Sequence, residues 1–219
     1  MHNSKGFTLV ELAIVLIIIG ILLGAILKGQ ELVDNSKVKR AISDLNSIFV
    51  AYNGYIDRYQ RKPGDDGPLA SLTGRGGSWA TVTAAGNSNG NLDALVANTF
   101  TNGAVETTSF WQHVKAAGFL PGSITAAGAA ALPNNGFNGL IGVFNNTTGL
   151  TGAPSGVNVC LSQVPGKAAV AIDKQIDDGD PATGSIRATA GTAGTNVVPG
   201  AAAASPYSEA GEYTICRAL

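Results

Sequence analysis

Charged residues are scarce in this chain of 219 residues, where Asp, Glu, Lys and Arg together make up 13% and the formal net charge is −1. A nucleic-acid-binding face needs clustered basic residues, so we expect no nucleic-acid partner. The sequence has two histidines, His2 and His113, which leaves little material for histidine-based catalysis or for a zinc site. No phosphate-binding loop and no Ser/His/Asp series stands out, so we expect that the protein is not an enzyme.

Cysteine is equally scarce, with Cys160 and Cys216 as the two examples. Two thiols permit one intramolecular pairing. The N-terminus described next is of an export type, which points to an oxidising compartment, so we expect a disulfide between them. Two buried free thiols are the alternative.

A long apolar run lies near the N-terminus. Every residue from Leu12 to Leu27 is apolar or glycine, and from Phe7 onward the run covers about 21 residues with Glu11 as its one charge. As a helix it would measure about 30 Å, the thickness of a bilayer core. A cleaved signal peptide or an ordinary signal anchor, with Lys5 on the cytoplasmic side, would explain the hydrophobicity. Neither would explain why a carboxylate is kept at Glu11.

The residues GFTLVE at 6–11 closely resemble the G-F-T-L-x-E signature of type IV pilins and type II secretion pseudopilins. The resemblance implies cleavage by prepilin peptidase after Gly6 and N-methylation of the new terminus, Phe7. It also implies that Glu11 of an incoming subunit neutralises the terminal amine of the previous one and sets the register of helices in a filament core. A Glu11 held at the headgroup level by the helix N-terminus is the alternative.

The resemblance also implies partners and a location. The partners would be other copies of the chain, related pilins or pseudopilins, prepilin peptidase, an inner-membrane assembly platform and membrane lipid. The protein would be a single-pass protein of the bacterial inner membrane with its head on the periplasmic side. From there it would enter a periplasmic pseudopilus or a cell-surface pilus as a structural subunit. A minor, tip-located pilin that acts as a membrane-anchored binding or adhesion module is the alternative function.

The resemblance implies that residues 1–6 are the leader peptide and that 7–27 form the transmembrane or filament-core helix. The rest of the domain organisation follows from the pattern of apolar residues. Steps of three and four between apolar residues predict that the helix continues, now amphipathic, over 28–60. Pro63 and Gly64 would end it, and residues 61–219 would form a globular head.

The head is expected to be α+β, with a small antiparallel sheet and short helices, which together with the long helix makes a pilin-like fold. We expect residues 61–109 to be irregular and mostly exposed, with Asp65 and Asp66 as turn residues. Helices are predicted at 107–118, capped by Thr107 or Thr108 with His113 solvated, and at 164–179. The residues expected to pack into the core are Trp79, Leu92, Leu95, Val96, Phe110 and Trp111. Strands are predicted at 139–144, 157–162, 184–189 and 212–217.

Four acids follow the second of these helices, and we call Asp173, Asp177, Asp178 and Asp180 the aspartate cluster. Four carboxylates so close in sequence would suit calcium, which prefers oxygen ligands, although their spacing does not match an EF-hand loop. Calcium stabilises the heads of some major pseudopilins, so the resemblance offers a precedent. A solvated turn, in which Asp178 or Asp180 caps backbone amides, is the alternative.

Overall fold

The computed structural model describes residues 8–101, 105–126, 128–203 and 205–219. Among them are four α-helices, α1 (Leu9–Tyr59), α2 (Leu69–Thr73), α3 (Val105–Ala116) and α4 (Gly166–Ile176). Four strands are also present, β1 (Ile141–Asn146), β2 (Gly156–Pro165), β3 (Ile186–Ala190) and β4 (Glu212–Ala218). Short 3-10 helices lie at Gly77–Thr81, Val96–Asn98 and Gly128–Ala131. The predicted α+β fold, a long N-terminal helix followed by a small sheet and short helices, is confirmed.

The first of two compact units ends at Lys37. Within it α1 is helical from Leu9, and every residue from Thr8 to Lys37 is exposed. No proline interrupts this part of the helix, and its residues from Leu12 to Leu27 are all apolar or glycine. An apolar helix that buries none of its own surface needs another apolar environment, either lipid or other helices.

The second unit begins at Val38, and there α1 gains a buried face. Its buried side chains recur at steps of mostly three and four, which place them on one stripe of the helix. They are Val38, Ala41, Leu45, Ile48, Ala51, Tyr52 and Tyr55. Most of this stripe belongs to a core that also includes α3 residues Phe110, Trp111 and Val114 and the inner residues of the sheet.

The sheet is antiparallel, with strand order β1-β2-β4-β3. The central strands β2 and β4 place Cys160 directly opposite Cys216. Both outer edges are occupied by other parts of the chain. At the β1 edge the backbone N–H of Asn145 donates to the carbonyl of Ala94 over 2.9 Å. At the β3 edge Ala203 donates to the carbonyl of Ala188, also over 2.9 Å.

Helix α3 departs from the sequence expectation at its start. Helix α3 begins at Val105, so Thr107 lies inside the helix and the prediction that Thr107 or Thr108 caps it is wrong. It ends as predicted, because Gly118 adopts a positive φ of 80° and Phe119 donates to the carbonyl of Val114. This pairing satisfies a carbonyl at the helix end.

The segment 61–109 is more ordered than expected, since it contains α2 and two 3-10 helices. Trp79 and Leu92 are buried as predicted. Leu95, expected in the core, is 67% exposed, because the backbone at Ala94 turns toward β1 and the next side chain then faces outward. Trp79 joins a second, smaller core with Tyr55 and Leu72.

Candidate functional site

The start of α1 forms a hydrogen-bonded box between Thr8 and Glu11. The backbone N–H of Thr8 donates to Glu11 Oε2 over 2.8 Å, and the Thr8 hydroxyl donates to the same oxygen over 2.8 Å. In return the backbone N–H of Glu11 donates to Thr8 Oγ1 over 3.3 Å. This reciprocal pattern is the capping box, in which the residue before the helix and the residue three positions later satisfy each other's backbone amides. Glu11 thus has partners within its own chain.

The surface that follows the box is apolar and exposed. Leu9 is 87% exposed, and Leu16, Ile21 and Leu27 are each more than 60% exposed. Among the described residues, α1 is the one helix that is long and apolar enough to cross a membrane. An unpaired charge in the middle of such a segment costs about 2.5 to 3.5 kcal/mol on insertion scales. The capping box lowers that cost, because it gives the Glu11 carboxylate donors at the end of the segment.

Gly6 and Phe7, the predicted cleavage and methylation positions, lie outside the described residues. The site therefore begins, in the structure, at Thr8. The other sequence-predicted site residues lie in the head unit.

The two cysteines form a disulfide, Cys160–Cys216. Both are fully buried, and their strands pair at this position. The bond joins residues separated by 56 positions. It therefore ties β4, the last strand of the chain, to the centre of the sheet.

The structure brings part of the aspartate cluster together. Carboxylate oxygens of Asp173, Asp177 and Asp178 lie within 4.8 Å of one another, close enough for one cation to reach all three. Asp173 is fully buried, however, and both of its oxygens accept hydrogen bonds, from the Tyr207 hydroxyl at 2.6 Å and from the Gly179 N–H at 3.1 Å. Burial raises the pKa of Asp173. A cation would have to share these oxygens with the donors already present.

The other three acids of the aspartate cluster also have partners. Asp177 accepts the backbone N–H groups of Ser185 and Ile186, which cover the start of β3. Asp178 accepts the N–H of Asp180 over 2.9 Å and the Thr183 hydroxyl over 2.6 Å. Asp180 in turn accepts the N–H of Ala182 and the hydroxyl of Ser205. These bonds give each of the four acids a hydrogen-bond partner within the chain, and both the calcium and the turn interpretations of the aspartate cluster remain predictions.

A second polar cluster was not anticipated from the sequence. Asp65 and Asp66 are both 2% exposed, although they were expected to be ordinary turn residues. Asp66 Oδ2 accepts the Tyr55 hydroxyl over 2.7 Å and lies 2.9 Å from Arg75 Nη2. The Arg75 guanidinium also lies 4.5 Å from the ring centroids of both Tyr59 and Trp79. The sequence signal for this cluster is weak, because its members are separated by up to 24 residues.

His113 is a correction to the sequence analysis. It was expected to be solvated because it lies off the apolar stripe of α3, but it is fully buried. Its ring lies 6.0 Å from the Tyr55 ring and 5.9 Å from the Trp79 ring. Helix α3 is apolar on two sides, since one faces the main core and the other faces the smaller core that contains Tyr55 and Trp79.

Comparison with known proteins gives one match. The family model for the prokaryotic N-terminal methylation motif matches residues 1–27. The chain carries this motif. It is the hallmark of the type IV pilins and pseudopilins, and in this chain it ends where the apolar run ends. No curated protein and no solved structure matches the chain.

The motif and α1 together fit a membrane-anchored, single-pass pilin-like protein that is a substrate of prepilin peptidase. Families that carry this motif are families of structural subunits. The head adds a disulfide and a four-stranded sheet to this N-terminus.

Proposed function

We propose that the chain is a structural subunit of a type IV pilus-like filament or a type II secretion pseudopilus. Residues 1–6 are the leader, prepilin peptidase cuts between Gly6 and Phe7, and the new terminus is methylated. Residues 7–27 anchor the mature chain in the inner membrane before assembly, with the head, 61–219, on the periplasmic side. The amphipathic part of the helix, 28–60, carries the head.

One observation carries the proposal: the first half of α1 is apolar, uninterrupted and exposed, and it starts with the capping box between Thr8 and Glu11. A helix of this kind is stable in lipid, and it can leave lipid without penalty only if other apolar helices replace the lipid. Many copies packed through residues 7–27 would supply that replacement.

Glu11 then has two successive partners in this proposal. Before assembly its carboxylate is held by Thr8 within the same helix. During assembly it turns to the terminal amine of Phe7 on a neighbouring copy. A charge-assisted pair in low dielectric is stronger than a bond to a neutral donor, so the exchange favours the assembled state and fixes the axial register.

The direct test is the substitution Glu11→Ala in the native host, with Glu31→Ala as the matched control. Glu31 lies on the same helix and pairs with Lys28 at an exposed position, where an ion pair contributes little. We expect both variants in the membrane fraction, and we expect sheared filaments to contain the control but not Glu11→Ala. Filaments of Glu11→Ala at the normal level would contradict the assembly role.

The processing step is tested separately by mass spectrometry of the protein purified from membranes. We expect a chain that begins with N-methylated Phe7. A chain that retains residues 1–6, or one from which the whole apolar segment has been removed, would contradict the proposal whatever the outcome for Glu11.

A further inference from the structure

Residues 83–93, which we call the strap, contain no helix or strand and are held in place largely by side chains from other segments. Gln112 Oε1 accepts the N–H groups of Thr83 and Ala84. Glu106 accepts the N–H groups of Asn87 and Asp93, and Asp65 accepts those of Asn89 and Gly90. The strap therefore depends on the side chains beneath it, and a neutral imidazole among them accepts a hydrogen bond that its protonated form cannot.

His113 connects the strap to the turn that follows α1. The backbone N–H of Gly64 donates to His113 Nδ1 over 3.1 Å. Since Nδ1 is an acceptor, the ring is neutral with its proton on Nε2, and Nε2 donates to the carbonyl of Ala84 over 3.2 Å. One buried ring thus joins three segments: α3, the turn and the strap.

A second proton on His113 would disrupt this arrangement. Nδ1–H would then face the N–H of Gly64, so two donors would oppose each other in a buried site. The ring would also carry a charge away from water, which is unfavourable unless an acceptor replaces the lost bond. If the strap moves away from α3, which we call the open form, solvent can reach the ring. Water then accepts from both donors and solvates the charge.

The groups around His113 decide the sign of the effect. Tyr55 of α1 and Trp79 face the ring, and Asp66 and Arg75 are the nearest charges, with opposite influences on the ring. Burial dominates and lowers the pKa of His113 to about 4, against an ordinary value of 6.5.

On α3 itself, Glu106 acts in the opposite direction. Burial raises the pKa of Glu106, with the charges of Asp93 and Asp65 adding to the effect. Acid therefore favours the closed form as far as Glu106 is concerned. Burial moves the pKa of His113 well below its ordinary value, and we expect this effect to decide the direction of the change in acid.

We propose that His113 is an acid-sensitive latch, whose protonation releases the strap and the Gly64 turn while the sheet remains folded. The free-energy preference for the closed form over the open form is fully present above pH 6.5, where the histidine is neutral in both forms. This preference is lost as the pH falls from 6.5 toward 4. For His113 alone, a change from pH 7.5 to pH 5.0 favours the open form about 25-fold, and Glu106 reduces this value.

The test is hydrogen exchange measured by mass spectrometry on the full chain in mild detergent at pH 7.5 and 5.0, with rates corrected for the intrinsic effect of pH. We expect strap peptides to lose about tenfold or more of their protection at pH 5.0, while peptides of β2 and β4 stay protected. The variant His113→Asn keeps an acceptor for Gly64 but does not titrate in this range. In that variant we expect strap protection at pH 5.0 to be no lower than at pH 7.5, because the opposing effect of Glu106 remains.

Three results would overturn the latch: strap protection that does not change with pH in the wild type, an equal loss in His113→Asn, or a loss that includes β2 and β4. If the variant does not fold, the titration of the wild-type ring decides, and it can be followed by NMR because the sequence has two histidines. A midpoint below pH 5 for His113 supports the latch, and a midpoint near 6.5 in the folded protein overturns it.

Discussion

The ion pair between Arg75 and Asp66 allows a quantitative prediction about the smaller core. The Asp66 side chain is 3% exposed and the Arg75 side chain 27% exposed. Replacing Arg75 with Met would leave the Asp66 carboxylate buried with the Tyr55 hydroxyl as its remaining strong donor. Removing one partner of a buried pair costs about 3 to 5 kcal/mol, and each lost cation–π contact costs about 0.5 to 1 kcal/mol. Because Arg75 is partly solvated, we expect Arg75→Met to lower the free energy of unfolding by about 3 kcal/mol in total.

The pair can be separated from its surroundings by a double-mutant cycle. Asp66→Asn should cost about 2 kcal/mol, because the neutral amide accepts more weakly from Tyr55 and Arg75. The double variant should cost about 3.5 kcal/mol rather than the sum of about 5, since each single change already breaks the same interaction. The measurement is urea unfolding of the full chain in mild detergent, followed by tryptophan fluorescence and by far-UV circular dichroism.

The control for this cycle is the exposed pair Lys167–Glu209, whose charged atoms lie 3.9 Å apart with side chains more than 70% exposed. Lys167→Met should change the free energy of unfolding by less than about 0.5 kcal/mol. If the double variant of Arg75 and Asp66 cost the full sum of the two single changes to within about 0.5 kcal/mol, the reasoning that couples them would be refuted.

Three further predictions concern the sheet and the aspartate cluster. Reducing the Cys160–Cys216 disulfide should lower the free energy of unfolding by about 4 kcal/mol, the chain-entropy value for a loop of 56 residues. Denaturant midpoints with and without reductant measure this loss, and equal midpoints would contradict the prediction. Tyr207→Phe should lower the free energy of unfolding by about 1 to 3 kcal/mol, because it leaves one oxygen of buried Asp173 without its donor. Tyr213→Phe at the neighbouring ring, which removes the hydroxyl that accepts from the N–H of Ser208, serves as the comparison. Calcium followed by chelator should leave the thermal midpoint of the full chain unchanged, and a calcium-dependent rise would support the cation interpretation of the aspartate cluster.

Local patterns in the sequence were sufficient to predict the long helix and the four strands of this fold. The four strands were predicted at positions close to those observed, because each is a short segment bounded by turn residues. The long helix was predicted because its apolar residues keep a helical period up to Tyr59. The motif GFTLVE at 6–11, together with the apolar run that follows it, carried the resemblance to pilins, and the family model matches the same segment.

The contacts that hold the head together were harder to predict from the sequence. The prediction that His113 is solvated was wrong because α3 packs on both sides, and a single sequence does not show that a second core lies there. Asp65 and Asp66 were identified as turn residues, but nothing local indicates that their acceptors serve Asn89, Gly90 and Arg75. The box between Thr8 and Glu11 could have been found, since T-x-x-E before an apolar run is a capping signal.

The covered edges of the sheet have a consequence for crowded conditions. Asn145 and Ala188 at the two edges already have backbone partners within the chain, and the carboxylate of Asp177 occupies the N–H of Ile186. A free strand edge is a template for joining another chain, and it can lead to aggregates. Two heads brought close together would therefore find little free backbone at these sheet edges to pair with, which leaves the exposed apolar part of α1 as the surface available for association.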